Sequence, residues 1–291
     1  MAIDKAVDSS QLNADLKAIA DAIRTKGGTS GLLEFPSGFV DAVGAIQAGS
    51  GGGGENQIDD IIAGNLIDVV SDAENCAEYA FYYNRYIKSV SMPNLATVPS
   101  NMLAQSTSIQ SVYFPKAIKI GERAFWNTPL EIADIPEVQD IGMQAFQGAK
   151  IAQISNMENI NIISDGAFKV CKSLVGRFSF PSIVKVGYSA FQNCTGITAI
   201  EFGSSQKDDN TAAVRNTVFS ECTALQTVIF RATTLLSMQN VSAFANTPIA
   251  SGTGYIYVPS VLVDSYKAAT NWTTYANQIR AIEDYPEITG G

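Results

Sequence analysis

The sequence predicts an α/β repeat solenoid, in which successive coils of the chain stack and lay short parallel strands side by side. Two observations support this prediction: a two-residue motif returns at a nearly constant interval, and an apolar frame typical of a strand accompanies each copy. We expect a small helical module before the repeats and a helical cap after them, because open ends of a stack need covering.

The first part of the chain, residues 1–48, is predicted to be a small helical module. Its apolar residues recur at the spacing of one helix face, namely Leu12, Leu16, Ile19 and Ile23. The Gly-rich stretch 49–56 then reads as a flexible linker. Two interpretations of the module stay open: a helical hairpin that shields its own apolar face, and a segment for self-association or attachment to a larger assembly.

Residues 57–262 repeat a small residue followed by a large one, usually Ala-Phe. We call the large residue the anchor, and the anchors are Phe81, Leu103, Phe125, Phe146, Phe168, Phe191, Phe219 and Phe244. The steps between them are 22, 22, 21, 22, 23, 28 and 25 residues. Because a period of roughly 20 to 29 residues is typical of leucine-rich repeats, the sequence predicts a leucine-rich-repeat solenoid with one strand in each coil.

A second pattern keeps a fixed position relative to the anchors. Each coil carries apolar residues in an L-x-x-L-x-L frame, as in Ile87/Val90/Met92 and Ile197/Ile200/Phe202. The last three positions of the frame alternate between inward and outward, as expected for a strand with one buried face. A proline lies ten residues before four of the anchors, at Pro93, Pro115, Pro136 and Pro181, where it should end the strand. We therefore expect the frame residues and the anchors to form the core.

The repeats are expected to end at a last strand, Tyr255 to Pro259. After it, large residues leave the repeat register: Leu262, Tyr266, Trp272, Tyr275 and Ile279. The sequence predicts that they lie on a capping helix between Val261 and Ile282, so that residues 263–291 form the cap and a tail.

Several classes of function are disfavoured by composition. The 291-residue chain has no histidine, which excludes Ser-His-Asp triads and imidazole zinc sites. It shows no nucleophile paired with a base, no phosphate-binding loop and no set of metal ligands, so we expect no enzymatic activity, cofactor or metal. The net charge of -9 argues against nucleic acid and anionic membranes as partners. No apolar stretch reaches the roughly 18 residues of a membrane span, and no signal peptide is recognisable.

Two groups of residues have both a chemical and a structural interpretation. Cys171, Cys194 and Cys222 each follow their anchor by three residues. They would form a metal or redox column, or they would simply fill a small core position, as Asn84, Thr128, Ala149 and Thr247 do in other coils; we favour the second reading. In the insertion between Ser204 and Ala213, the run Asp208-Asp209-Asn210 is read as a solvated loop rather than as a calcium site.

The phrases Ile120-Gly-Glu-Arg-Ala-Phe125, Ile141-Gly-Met-Gln-Ala-Phe146 and Val186-Gly-Tyr-Ser-Ala-Phe-Gln-Asn-Cys194 resemble the BspA-type leucine-rich repeat of bacterial surface proteins. This resemblance implies adhesion to host or matrix proteins or to other cells, and an extracellular or cell-surface location. The segments Leu12 to Thr29 and Tyr257 to Trp272 look like parts of gut-bacterial prophage tail or surface proteins. That second resemblance implies a virion-associated protein, which would need no signal peptide.

The candidate binding surface is the column of outward strand positions. It contains Ser91, Tyr113, Asp134, Ser155, Ser179, Glu201, Ile229 and Tyr257, with Gln153 and Arg177 beside it. From these we select Tyr113, Asp134, Ser155, Arg177, Ser179, Glu201 and Tyr257 as binding residues, because hydroxyls, charges and tyrosines suit a recognition face. An ordinary exposed sheet face is the competing interpretation. The function predicted is adhesin-like recognition of a protein or glycan; the alternative is a structural phage-tail component that binds other virion proteins.

Overall fold

A computed structural model describes residues 67–203 and 213–289. The chain divides into two compact units, Met1–Ile67 and Asp68–Gly291, and nearly all described residues belong to the second. The predicted helical module at 1–48, the linker at 49–56 and nearly all of the insertion that contains Asp208 lie outside the described residues.

One side of the coils carries the longer strands, which form two parallel five-stranded sheets. The first sheet contains β1 (Ile67–Val70), β2 (Ile87–Ser91), β4 (Ser111–Tyr113), β6 (Ile132–Asp134) and β8 (Gln153–Ile154). The second contains β10 (Gly176–Phe180), β12 (Ile197–Phe202), β13 (Thr227–Phe230), β14 (Tyr255–Val258) and β15 (Ile279–Ala281). We call the outward surface of the two sheets the outer face, with a first half and a second half.

A second side carries shorter strands, so the expectation of one strand in each coil was wrong. These strands are β3 (Thr97–Val98), β5 (Lys119–Ile120), β7 (Asp140–Ile141), β9 (Ile162–Ile163) and β11 (Lys185–Val186), and they form one parallel sheet. The glycine that follows several of them has a steric reason. A Cβ on Gly121 would lie 2.6 Å from Ser100 N, and one on Gly142 would lie 2.6 Å from Ile120 O. Only glycine lets neighbouring coils approach this closely.

The third side contains the anchors, and its backbone is bonded from coil to coil. Phe125 N donates to Ala145 O and Phe146 N donates to Ala167 O, both at 2.8 Å. The residues two before and two after Phe125, Arg123 and Asn127, are left-handed with φ of 52° and 50°. Left-handed residues interrupt any helix, so this side is a stack of turns rather than of helices.

The anchors from Leu103 to Phe244 form the predicted core, whereas the first anchor, Phe81, is only partly buried. From Phe125 to Phe244 the rings stack nearly parallel, with centroids 5.0 to 6.0 Å apart. This interval is close to the ~4.8 Å that separates neighbouring strands, so one ring per coil fits the rise of the solenoid. Frame residues such as Ile87, Met92 and Val112 are 3% exposed or less. The structure therefore confirms the positions assigned to both patterns.

The segment after β14 differs from the predicted capping helix. Its only α-helix among the described residues is α1 (Val263–Ala268), and β15 pairs with β14, so Tyr255–Val258 is not the last strand. Ala269 is extended and Asn271 has a positive φ of 65°, which ends the helix. The remainder is 3-10 helical, at Ser260–Leu262, Trp272–Gln278, Ile282–Asp284 and Pro286–Thr289; two earlier 3-10 turns are Met157–Asn159 and Val241–Phe244.

The break in the helix lets aromatic residues reach the end of the phenylalanine stack. Trp272 lies 5.9 Å from Phe230 and Tyr275 lies 5.3 Å from Phe244, both edge to face. The indole of Trp272 also donates to Leu236 O at 2.7 Å. A continuous helix would have forced these side chains onto one regular stripe, whereas the last coil needs them at two separate places. Across residues 67–203 and 213–289, no helix is long and apolar enough to cross a membrane.

Candidate functional site: the outer face

The first half of the outer face is open. Ser91, Tyr113 and Asp134 are register partners on β2, β4 and β6, as the alternation of the sequence predicts. The next column places Ser111 opposite Ile132. Tyr113 is 44% exposed and Ile132 is 45% exposed, while Ser91 and Asp134 are partly exposed. This half therefore presents aromatic, apolar, hydroxyl and carboxylate groups together.

Ser155 ends this half and has an intramolecular role. It directly follows β8, and its hydroxyl accepts a hydrogen bond from Ile135 N at 2.7 Å. The hydroxyl therefore helps to hold two successive coils together. Beside it, Gln153 is exposed on β8.

The second half carries a network of charges. Ser179 and Glu201 are register partners on β10 and β12. The carboxylate of Glu201 pairs with Arg177 at 2.5 Å and also with Arg231, and its side chain is only 12% exposed. Arg177 and Glu201, both predicted to bind a partner, are thus bound to each other.

Two outward positions of the second half are buried, which corrects the predicted column. Ile229 on β13 is fully buried and Tyr257 on β14 is 6% exposed. Both residues point away from the core, as their register with Glu201 requires. Alternation along a strand predicts the direction of a side chain, but not what packs against it.

Tyr257 is covered by the C-terminal tail, by which we mean residues 285–288. The ring of Tyr285 meets the ring of Tyr257 edge to face, with centroids 5.4 Å apart. Arg177 Nη1 donates to the carbonyl oxygen of Ile288. Just before the tail, Glu283 accepts a hydrogen bond from Ser260 N at 2.9 Å. Tyr257 therefore does not belong to the exposed candidate surface.

The three aligned cysteines are hydrogen-bond donors in the core. Cys171, Cys194 and Cys222 are buried. Each thiol donates to the backbone carbonyl of the anchor in the preceding coil, at 2.9 to 3.0 Å. Ser106 makes the same bond to Phe81 O at 2.6 Å. Burial raises the pKa of Cys171 and Cys194 well above the ordinary thiol value, and it raises the pKa of Cys222 to about 12. Protonated thiols in these bonds support the packing interpretation.

An exposed group of tyrosines was not anticipated from the repeat pattern. The tyrosine cluster consists of Tyr79, Tyr82, Tyr83 and Tyr86, which are 38 to 55% exposed. The Tyr82 ring lies edge to face against Tyr79 and Tyr83, at 5.5 and 4.5 Å between centroids. Tyr86 directly precedes β2, which places the cluster beside the first half of the outer face. The four tyrosines between positions 79 and 86 are the sequence feature from which this cluster could have been predicted.

Among the solved structures that match this chain are the following three. The crystal structure of the pneumococcal vaccine antigen PcpA is 15% identical, with a TM-score of 0.47, covering 75% of this chain and 67% of that one. A leucine-rich cell surface protein from Faecalibacterium prausnitzii is 20% identical, with a TM-score of 0.36, covering 69% and 61% respectively. A leucine-rich-repeat protein from Bacteroides ovatus is 12% identical, with a TM-score of 0.32, covering 75% and 84%.

Comparison with curated protein sequences gives no significant match. A family model does match: the BspA type leucine-rich repeat region, in 6 copies, over residues 64–151 and 139–262. The matched residues include all the anchors, the phenylalanine stack and the outer face up to β14. The chain therefore belongs to the BspA-type leucine-rich-repeat family.

Proposed function

We propose that this protein is a non-enzymatic, adhesin-like binding protein that recognises a protein or glycan on a cell or host surface through the first half of its outer face. The observation that carries the proposal is the exposed column containing Tyr113 and Asp134, flanked by the exposed Ile132. Tyrosine supplies contact area at low entropic cost, and the carboxylate accepts directional hydrogen bonds.

The size of this surface constrains the ligand. The five strands, which are two to five residues long, cover roughly 20 Å by 10 Å, or about 200 Å². A standard protein interface needs about 800 Å² on each partner. A glycan or a short peptide would fit on the strands alone, whereas a folded protein must also contact neighbouring surface. The tyrosine cluster supplies such a surface, since Tyr86 directly precedes β2.

The location and assembly of the protein follow from the same proposal. An adhesin works outside the cell, at a cell or virion surface. Self-association through residues 1–48 would present several outer faces at once and raise the apparent affinity without any new contact. The segment after β14 would close the second end of the stack, since Trp272 and Tyr275 lie against its last rings.

Binding to mucin, to enzymatically deglycosylated mucin and to intact bacterial cells tests the function. The parent chain should bind at least one of these surfaces, and the variant Tyr113→Ala/Asp134→Ala should lose about tenfold or more in affinity, equivalent to about 1.4 kcal/mol. The matched control is Ile118→Ala/Lys119→Ala, which changes two exposed residues on another side of the solenoid. Loss of binding after deglycosylation would identify a glycan ligand. Equal binding by both double variants would contradict the proposed surface.

The structural phage-tail alternative predicts a different set of results. In that case the full chain would assemble through residues 1–48, bind only other virion proteins and ignore both mucin and cells. Light scattering on the full chain and on a form beginning at Glu55, beside the same binding assays, separates the two functions. An oligomer that adheres supports the adhesin, and an oligomer that binds neither surface supports the structural component.

A further inference from the structure

The second half of the outer face already holds a peptide, which is the chain's own C-terminal tail. Tyr285 contacts Tyr257 on β14, and the carbonyl of Ile288 accepts a hydrogen bond from Arg177 on β10. These contacts join the tail to the two ends of a four-strand surface, because β12 and β13 lie between β10 and β14.

The dimensions agree with a tail that crosses this surface. Three strand spacings separate β10 from β14, which is about 14 Å. Three residues of 3-10 helix rise only about 6 Å, and the remaining distance is within reach of the long tyrosine and arginine side chains. Between the two contacts lies Ile229, an outward residue that is fully buried. A short segment therefore joins β14 to β10 through its two end contacts.

The chemistry of this surface is that of a peptide site. At one end the guanidinium of Arg177 is fixed by Glu201 and directs another nitrogen at a backbone carbonyl. At the other end, Tyr257 offers an aromatic wall to a tyrosine ring. Arg177 binds a main-chain carbonyl and Tyr257 contacts an aromatic side chain. Together they would select a peptide with a tyrosine followed, a few residues later, by an accessible carbonyl.

The tail is held lightly enough to be exchanged. Tyr285 and Ile288 are only partly buried, and Pro286 and Glu287 are exposed. Side-chain exposure at Arg177 is still 37% with the tail in place. A weak contact of this kind persists because it is intramolecular, and a tether of this length gives an effective concentration on the order of 1 mM.

We propose that the second half of the outer face is a binding site for a tyrosine-containing peptide segment, and that the C-terminal tail is its resident occupant, which such a segment of a partner must displace. This inference deepens the proposed function, since it divides the recognition surface into an open half and an occupied half. It requires no knowledge of the natural ligand, because the chain itself supplies the probe.

The test uses a chain that ends at Asp284 and a fluorescent peptide with the sequence of residues 285–291, Tyr-Pro-Glu-Ile-Thr-Gly-Gly. Fluorescence anisotropy should show saturable binding to the shortened chain with a Kd of about 0.1 mM or lower, because a tail at an effective concentration of about 1 mM then occupies the site in roughly nine molecules out of ten. The full chain should bind the same peptide at least about tenfold more weakly, since its own tail competes. A peptide with Tyr285→Ala and a shortened chain with Arg177→Ala should each lose about tenfold or more.

Controls keep the outcome decisive. The shortened chain must unfold at a temperature within a few degrees of the parent; if it does not, the full chain with Tyr285→Ala takes its place, since its loosened tail should admit the peptide. Absence of peptide binding to the folded chain, or equal binding with and without the tail, would overturn the inference. Mucin and cell binding through Tyr113 and Asp134 should persist in the shortened chain, so failure of the adhesin function is seen separately.

Discussion

The two halves of the outer face have the same architecture and different surroundings. In the first half, Tyr113 points outward and is 44% exposed. In the second half, Tyr257 points outward from the equivalent column and is 6% exposed, because Tyr285 packs against it. The comparison teaches that the repeat determines where a side chain points, whereas segments outside the repeat determine whether it meets solvent.

The halves also differ in how polar groups are used. In the second half, Arg177 and Glu201 are bound to each other, and Arg177 is also bound to the tail. In the first half, Asp134 and Tyr113 lie at the surface as register partners. The charge network of the second half fits a surface that is already occupied by the tail. The exposed column of the first half fits a surface that is free to bind a partner.

The largest expected effect comes from breaking the stack that joins the halves. Phe168 lies between Phe146 and Phe191, at 5.4 and 5.5 Å between ring centroids, where the first sheet gives way to the second. We expect Phe168→Ala to lower the free energy of unfolding by about 3–5 kcal/mol, because the rings on both sides would border a cavity. Urea denaturation measures this value. The control Val175→Ala, at a side chain 71% exposed, should change it by less than about 0.5 kcal/mol.

The next largest effect compares the two tyrosines directly. Tyr257→Ala should lower the free energy of unfolding by about 2–4 kcal/mol, since it removes a buried ring and its contact with Tyr285. Tyr113→Ala should lower it by less than about 0.5 kcal/mol, because that ring is largely in solvent already. Equal losses in the two variants, measured by the same urea denaturation, would show that the halves do not differ in the way described.

The smallest effect concerns the three buried cysteines, Cys171, Cys194 and Cys222. The folded pKa of Cys222 is raised to about 12 by burial, whereas a thiol in the unfolded chain ionises near its ordinary value of about 8.5. The raised pKa means that the stabilisation is complete below about pH 8.5 and is lost as the pH rises toward about 12. Between pH 7.5 and 9.5, this thiol should account for about 1 kcal/mol of the fall in stability.

Replacement of that thiol should remove its share of the pH dependence. Cys222→Ser should reduce the fall by about 1 kcal/mol, because a serine hydroxyl does not ionise in this range. Ser106 shows that a serine can make the equivalent bond to an anchor carbonyl. The half-buried Cys76 provides the control, and Cys76→Ser should change the pH dependence less. An unchanged pH profile in Cys222→Ser would argue against a buried, protonated thiol.

The repeat itself could be predicted from the sequence, because its signals are local and recur. The positions of Phe125 and the other anchors, the buried frame and the outward direction of Tyr113 all follow from spacing alone. The short strands such as β5 escaped prediction because two residues are too few to show alternation. Gly121 can be read from the sequence, but the reason for a glycine there is the close approach of the preceding coil.

The features that decide the candidate site depend on tertiary contacts. Nothing in the local pattern around Tyr257 indicates that Tyr285 will return to cover it. The break at Ala269 and Asn271 likewise depends on where the last phenylalanines need partners. Sequence spacing therefore predicted the outer face, and only the folded structure showed that half of it is occupied.

Hydroxyl-radical footprinting of the full chain, read out by mass spectrometry at single tyrosines, measures the difference in exposure between the two halves of the outer face. We expect Tyr113 to be oxidised several-fold faster than Tyr257, and we expect Tyr257 to become reactive when the chain ends at Asp284 while Tyr113 does not change. Equal oxidation of the two tyrosines in the full chain would contradict the division of the outer face into an open half and a covered half.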